Sequence, residues 1–98
     1  MNQSITPSIV VTRHPALVDY LHEQGIVPTD TPVVAHASEE TVRGKRVVGV
    51  LPLRLAALAE SVTEVPLALT AEDRGRDLPI ERVREIAGEP VTYIISTL

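Results

Sequence analysis

Residues 9–15 constrain the fold more than any other part of this sequence. Three aliphatic residues lead into a hydroxyl, a guanidinium, an imidazole and a proline, in the order Ile9, Val10, Val11, Thr12, Arg13, His14 and Pro15. The aliphatic run indicates a buried strand, and the proline fits the first turn of a helix, where its missing N–H is not needed. In a parallel α/β sheet, anionic ligands bind at such a junction between a strand and a helix. The polar residues of the segment are therefore predicted to face a ligand and not the core.

The composition predicts a single domain with an aliphatic core. The chain has 98 residues, 44% of them hydrophobic, and its aromatic residues are two tyrosines. A domain of this size buries roughly two-thirds of its unfolded surface, so we expect one domain over residues 1–98, with residues 1–7 loosely held. The scarcity of aromatic side chains argues against a single-strand binder that stacks bases. The sequence has no cysteine, which excludes a disulfide framework and a thiolate metal site.

Charge and hydropathy limit the expected partners and compartment. The formal net charge is −4, whereas non-specific binding to nucleic-acid polymers needs a broad basic surface. We therefore expect no polymeric DNA as a partner, which leaves room for a local basic pocket. No apolar stretch reaches the ~20 residues of a membrane span, and the first residues lack the features of a signal peptide. These patterns predict a cytoplasmic protein with no membrane partner.

Hydrophobic patterning predicts the order β-α-β-β-α-β-α-β. Five apolar runs are typical of strands: residues 8–12, 32–36, 46–51, 64–69 and 90–96. Three segments, each opening at a proline, are predicted helices: residues 15–24, 52–61 and 79–87. The connection 37–45 is ambiguous and has room for one helical turn at residues 38–41. The first, third and fifth runs lack clean polar alternation, as strands buried on both faces of a parallel sheet do. We expect a three-layer α/β domain with a mostly parallel sheet of about five strands.

Under this assignment, polar side chains follow the carboxyl ends of four strands. They are Thr12, Arg13 and His14 after the first strand, His36 after the second, Arg54 beyond Leu51 and Pro52 after the third, and Thr70, Arg74 and Arg76 after the fourth. Because the carboxyl ends of parallel strands meet at one edge of a sheet, these groups would form a phosphate site beside three helix N-termini. Plainer interpretations stay open: a helix cap with a surface cation at Arg13 and His14, a core or edge histidine at His36, and solvated charges for the other arginines.

No nucleotide or metal motif accompanies these residues. The sequence contains neither G-x-G-x-x-G nor G-x-x-x-x-G-K-[ST], so neither a dinucleotide site nor a P-loop is indicated. The acidic residues are scattered and two histidines make a weak zinc case, so we expect no metal and no cofactor. Chemistry on an RNA phosphate would then use attack by the substrate's own 2′-hydroxyl. Arginine would stabilise the charge and histidine would protonate the leaving 5′-oxygen.

Four short motifs in register resemble a known family. They begin at Val11, Val33, Gly49 and Arg74 and read V-T-R-H-P, V-V-A-H, G-V-L-P-L-x-L-A-A and R-G-R-D-L. Over residues 9–95 the chain is similar to a small Csx-type accessory family of type III CRISPR loci, the one numbered sixteen, which belongs with the ring nucleases. This resemblance implies a Rossmann-like homodimer that binds cyclic oligoadenylate, most often the tetramer. Such enzymes linearise this second messenger and thereby switch off the immune effectors that it activates.

The resemblance also suggests which residues act. It carries over Thr12, Arg13 and His14 from the first motif, His36 from the second, and Arg74 and Arg76 from the last. Catalysis is assigned to His14 first, with His36 and Arg13, and ligand binding to Thr12, Arg13, Leu51, Pro52, Arg54, Thr70, Arg74 and Arg76. The helix of residues 52–61, apolar on more than one face, is the expected dimer surface. Two alternatives remain: a sponge that binds the messenger without cutting it, and a plain α/β subunit of a larger complex.

Overall fold

The first strand, β1, spans Ile9–Val11 and lies inside a five-stranded sheet, in a computed structural model that describes residues 6–98. The other strands are β2 (Val33–Val34), β3 (Arg46–Gly49), β4 (Ser61–Glu64) and β5 (Val91–Tyr93). The helices are α1 (Pro15–Glu23), α2 (Glu39–Val42), α3 (Leu53–Ala56) and α4 (Ile80–Ile86), and Ala71–Asp73 form a 3-10 turn. The expectation of a loosely held N-terminus concerns residues 1–7, of which 1–5 lie outside the described residues.

The sheet has the strand order β2-β1-β3-β4-β5, and its first four strands are parallel. β5 alone runs antiparallel, beside β4. This arrangement confirms the predicted α/β class with a mostly parallel sheet, consistent with a small Rossmann-like domain. The connection between β2 and β3, which the sequence left ambiguous, holds one helical turn, α2, which Ser38 caps by accepting a hydrogen bond from the backbone N–H of Thr41. No helix within residues 6–98 is long and apolar enough to cross a membrane.

Side chains of β1 alternate between two core clusters, which explains why this strand is wholly aliphatic. Ile9 and Val11 pack with α2 and α3 on one face of the sheet, whereas Val10 packs with Leu21 of α1 on the other. Successive side chains of a strand point to opposite faces, so a central strand covered on both faces needs an apolar residue at every position. The helix α4 lies beside α1. There Arg84 donates two hydrogen bonds of 2.8 Å to Glu23 and holds the pKa of that carboxyl below its usual value.

The fourth strand was predicted at the wrong residues. It spans Ser61–Glu64 and not 64–69, and the preceding helix ends at Ala56 instead of continuing to residue 61. Because Ser61 and Thr63 are polar, this strand is not an apolar run and was not predicted, although it pairs with a neighbour on each side. Pro66 lies inside the predicted run, and proline is disfavoured within an interior strand because it cannot donate a ladder hydrogen bond.

The fifth strand was also misjudged, because it is not buried on both faces. All three of its residues are exposed, with Val91 at 43% and Tyr93 at 46% of their full surface. β5 is the edge of the sheet, and its Thr92 shares a hydroxyl hydrogen bond of 2.8 Å with Thr63. β-branched residues favour strands in general, so their content does not distinguish an edge strand from a central one.

A buried carboxylate fixes the loop that precedes α4. Asp73 is 9% exposed and accepts hydrogen bonds from the backbone N–H and the hydroxyl of Thr70, at 2.9 and 3.0 Å. The Arg82 guanidinium donates to both of its oxygens, at 3.0 and 2.8 Å. These hydrogen bonds, that from Arg82 above all, hold the pKa of Asp73 far below its usual value. The loop is thereby tied to α4 by charge-assisted contacts.

Replacing Asp73 by asparagine is expected to lower the melting temperature at pH 7 by several degrees, because Arg82 loses its bidentate partner. The lowered pKa of the native carboxyl means that its stabilisation is complete above the unfolded-state pKa of about 3.9 and is lost as the pH falls further. Urea unfolding of Asp73→Asn and the wild type should therefore differ at neutral pH and converge in acid. Asp77→Asn, at an exposed carboxylate nearby, is the control. A difference that widens in acid would contradict this account.

Candidate functional site

The sheet has a topological switch point between β1 and β3. From β1 the chain passes through α1 to β2 on one side, and it then returns through α2 to β3 on the other side. In open α/β sheets, ligands bind in the crevice that such a reversal leaves outside the carboxyl ends of the strands. A cavity of about 720 Å³ lies at this position, between α1 on one face and α3 on the other.

Each of the four parallel strands contributes to the lining of this cavity through its carboxyl end or the residues just after it. The polar lining residues are Thr12, Arg13 and His14 after β1, His36 after β2, and Glu64 at the end of β4. The remaining walls are apolar and include Leu17 of α1 and Leu55 of α3. The arrangement combines a few converging polar groups with apolar walls, as binding sites for small molecules commonly do.

Two backbone N–H groups in the turn from β1 into α1 donate hydrogen bonds that hold the turn in place. The N–H of Thr12 donates to the carbonyl of Val34 at 3.0 Å, and the N–H of His14 donates to the Thr12 hydroxyl at 3.2 Å. His14 stands at the N-cap of α1, but its side chain makes no capping hydrogen bond, and the first turn holds no acidic residue. His14 is exposed at the positive end of the helix dipole, where an anion would be favoured.

Gly49 allows the backbone at the end of β3 to lie in close contact with the backbone of β1. Its φ is +147°, a conformation that L side chains rarely adopt, and a Cβ atom built there would overlap the carbonyl oxygen of Val11. Gly49 pairs with Val11 in the sheet register and lines the cavity. The floor of the site is therefore backbone, which only glycine at this position permits.

Arg13 differs from most of the basic residues in having no carboxylate partner. Five arginines form ion pairs with acidic side chains: Arg43, Arg46, Arg54, Arg82 and Arg84. Within residues 6–98, the Arg13 side chain makes no hydrogen bond or ion pair, and it lines the cavity in an exposed position. Its charge is thus available to an anionic ligand. The same residues contain no group of three His, Cys, Asp or Glu side chains that could hold a metal ion.

The structure brings together six of the residues that the sequence suggested for the site. Those that line the cavity are Thr12, Arg13, His14, His36, Leu51 and Pro52. Four others do not line it: Arg54, Thr70, Arg74 and Arg76. Arg54 pairs with Glu39 at 3.4 Å, and Thr70 binds Asp73. Arg74 and Arg76 lie exposed in the loop after the 3-10 turn, because β4 ends at Glu64 and not at the residue before Thr70.

Glu64 is the polar lining residue that the sequence analysis missed. It was taken as the first residue of a strand, whereas it is the last residue of β4 and so lies at the ligand-binding edge. A proline two residues later was the available signal, since a strand placed before Pro66 would have ended at this carboxylate.

A family model described as "Putative CRISPR-associated protein (Cas_VVA1548)" matches residues 9–96. That range runs from the first residue of β1 to beyond the last residue of β5, and it contains the whole lining of the cavity. No curated protein and no solved structure gives a significant match.

Proposed function

The chain belongs to this CRISPR-associated family, and on that premise we propose that it is a metal-independent ring nuclease for cyclic oligoadenylate, with the cyclic tetramer as first substrate. The observation that carries the proposal is the grouping of Arg13, His14 and His36 around one cavity at the switch point. A guanidinium and two imidazoles are the groups that hold a phosphodiester and move protons during its cleavage. Linearising the messenger would end type III CRISPR signalling, and this activity would place the protein in the cytoplasm.

The proposed reaction needs no group beyond the substrate and the side chains. A 2′-hydroxyl attacks the adjacent phosphorus and gives its proton to a base of the cavity, the bond to the 5′-oxygen breaks, and the linear product ends in a 2′,3′-cyclic phosphate. His14 protonates the departing 5′-oxygen, or it positions the reacting hydroxyl if His36 is the acid. Arg13 stabilises charge on the non-bridging oxygens. Thr12, whose hydroxyl fixes the backbone N–H of His14 at 3.2 Å, keeps the turn in place.

A homodimer is part of the proposal, because the ligand is large and has approximate two-fold symmetry. A second depression of about 470 Å³ adjoins the cavity and shares Thr12, Arg13 and His14 with it. Val50, which lines the cavity, and Leu53, the first residue of α3, are 73% and 75% exposed, which supports the predicted pairing surface around α3 even though this helix is shorter than expected. A two-fold dimer would present the same basic cavity twice to the ring.

The turnover of cyclic tetra-adenylate in EDTA tests the proposal. Excess substrate is incubated with catalytic amounts of protein, and linear products are separated and quantified. Multiple turnovers that yield products with a 2′,3′-cyclic phosphate would support the ring nuclease. Stoichiometric binding without product would instead identify a sponge that sequesters the messenger. The absence of both would contradict the proposal and favour a subunit without a nucleotide ligand.

Arg13→Ala is expected to weaken the binding of cyclic tetra-adenylate by about 10- to 100-fold, the worth of one or two charge-assisted hydrogen bonds. Binding by the wild type should also weaken more steeply with salt than binding by the variant, since one phosphate contact is lost. Isothermal titration calorimetry at two salt concentrations measures both effects. Lys45→Ala is the control, because Lys45 is an exposed cation at the opposite edge of the sheet, before β3. Equal losses in the two variants would show that only overall charge matters.

A further inference from the structure

Glu64 is a carboxylate inside a cavity that is otherwise suited to anions. It is partly buried at the end of β4, between β3 and β5. Its side chain makes no hydrogen bond or ion pair with any residue from 6 to 98, although Arg13 lines the same cavity. A negative charge at this position repels a phosphate, so it opposes binding of the proposed ligand. The presence of Glu64 in this cavity is therefore not explained by a contribution to ligand affinity.

The position of Glu64 relative to the β1–α1 turn follows from the sheet register. Val48 pairs with Thr63, so Gly49 and Glu64, the next residues of their strands, come at the same level of the sheet. Gly49 in turn pairs with Val11. Neighbouring strands lie about 4.8 Å apart, so the backbones of Glu64 and Val11, the last residue of β1, are separated by roughly 10 Å across β3. The carboxylate and the Thr12–His14 turn therefore flank the Gly49 floor from opposite sides.

This backbone separation leaves room for a phosphate between two side chains that serve the two ends of an in-line displacement at phosphorus. An acid and a base each reach about 3 Å to the oxygen they serve, and the attacking oxygen starts about 3 Å from phosphorus. Groups that serve the attacking and the leaving oxygen thus stand on the order of 10 Å apart, with the phosphate between them. A phosphodiester above Gly49 would have Glu64 on one side and His14 on the other.

We propose that Glu64 is the general base of the ring-opening reaction, an inference that rests on the proposed function. Its carboxylate accepts the proton of the attacking 2′-hydroxyl as the new bond from that oxygen to phosphorus forms. The bond from phosphorus to the 5′-oxygen breaks, and His14 gives its proton to that oxygen. A carboxylate oxygen is an acceptor, which suits Glu64 to take a proton on the side of the cavity opposite His14.

Glu64→Gln is the first test, because it keeps the size of the side chain and removes its basicity. We expect turnover of cyclic tetra-adenylate to fall by about 10²–10⁴-fold, with affinity equal to or tighter than that of the wild type. Glu64→Asp should retain more turnover than Glu64→Gln. Glu72→Gln, the same change at an exposed residue outside the cavity, should leave turnover unchanged. Circular dichroism and melting temperatures confirm that each variant is folded.

A modified substrate separates the base from the acid. In a cyclic tetra-adenylate with sulfur in place of one bridging 5′-oxygen, the thiolate leaves without being protonated. Cleavage of this bond should be restored in His14→Ala and stay impaired in Glu64→Gln. Restoration in both variants would place Glu64 at the leaving group and overturn the assignment.

The remaining outcomes distinguish this inference from the proposed function. Turnover by Glu64→Gln within about twofold of an active wild type would overturn the base role and leave the ring nuclease intact. A parallel loss of binding and turnover would show that Glu64 acts through the structure of the cavity, and would also overturn it. A wild type that binds the ring without cutting it would refute both.

Discussion

His14→Ala is expected to lower the turnover of cyclic tetra-adenylate in EDTA by about 10²–10⁴-fold, the usual contribution of general acid catalysis. Most of the binding should remain, because Arg13 and the apolar walls of the cavity are unchanged. The helix should also remain, since the His14 side chain makes no capping hydrogen bond. Single-turnover rates together with the dissociation constant, measured by calorimetry, separate the loss of chemistry from a loss of affinity.

The three histidines allow a matched comparison. His36→Ala removes the second imidazole of the cavity, and His22→Ala removes one on α1 that does not line it. If His14 is the acid, His14→Ala should be the slowest of the three and His22→Ala should cleave as the wild type does. Undiminished turnover by His14→Ala would remove this residue from the mechanism, and a greater loss in His36→Ala would transfer the acid role to His36.

Gly49→Ala is expected to reduce the free energy of unfolding by about 2–5 kcal/mol, through backbone strain and steric overlap together. The methyl group would meet the carbonyl oxygen of Val11 at a φ of +147°. β1 and β3 would then have to separate at their carboxyl ends, where both line the cavity. In a domain of this size, each kcal/mol corresponds to a fall in melting temperature of about 4–8 °C. Urea unfolding and ligand binding should therefore be impaired together.

Gly44→Ala is the control that separates backbone strain from the steric overlap with Val11. Gly44 also has a positive φ, +71°, but nothing lies within 4 Å of a Cβ built there. Its replacement should cost only the conformational strain of about 1–2 kcal/mol and leave ligand binding unchanged. Equal destabilisation by the two substitutions would mean that the contact between Gly49 and Val11 relaxes easily, and would remove the glycine requirement from the site.

The strands with a continuous aliphatic sequence could be predicted, because a strand buried on both faces has apolar residues at nearly every position. Residues 9–11 and 46–49 are buried on both faces of the sheet, so every position is apolar or glycine apart from Arg46 at the entry of β3. Pro15 and Gly25 marked the helix between β1 and β2, and α1 spans Pro15–Glu23, close to the predicted range. The carboxyl end of β1 followed from the same pattern, which placed Thr12, Arg13 and His14 at the edge where they line the cavity.

The residues of β4 could not be recognised in this way, because their partners supply the stabilisation. Ser61 and Thr63 belong to a strand that is stabilised by pairing with β3 and β5. The apolar run at residues 64–69 was predicted as the strand instead. That shift of register moved Arg74 and Arg76 into the expected site and kept Glu64 out of it. Similarly, Val91 and Tyr93 have the composition of buried strands, and only their place at the sheet edge leaves them exposed.

The amino-acid sequence by itself determined the class of sheet and the polar turn after β1, because both depend on residues adjacent in the chain. Tertiary structure alone decided which distant groups share the cavity. Glu64 faces the same space as His36 because parallel register aligns the strand ends, and Gly49 is required there because β1 passes within contact distance. Those relations arise from pairing between segments far apart in sequence, for which no local pattern is diagnostic.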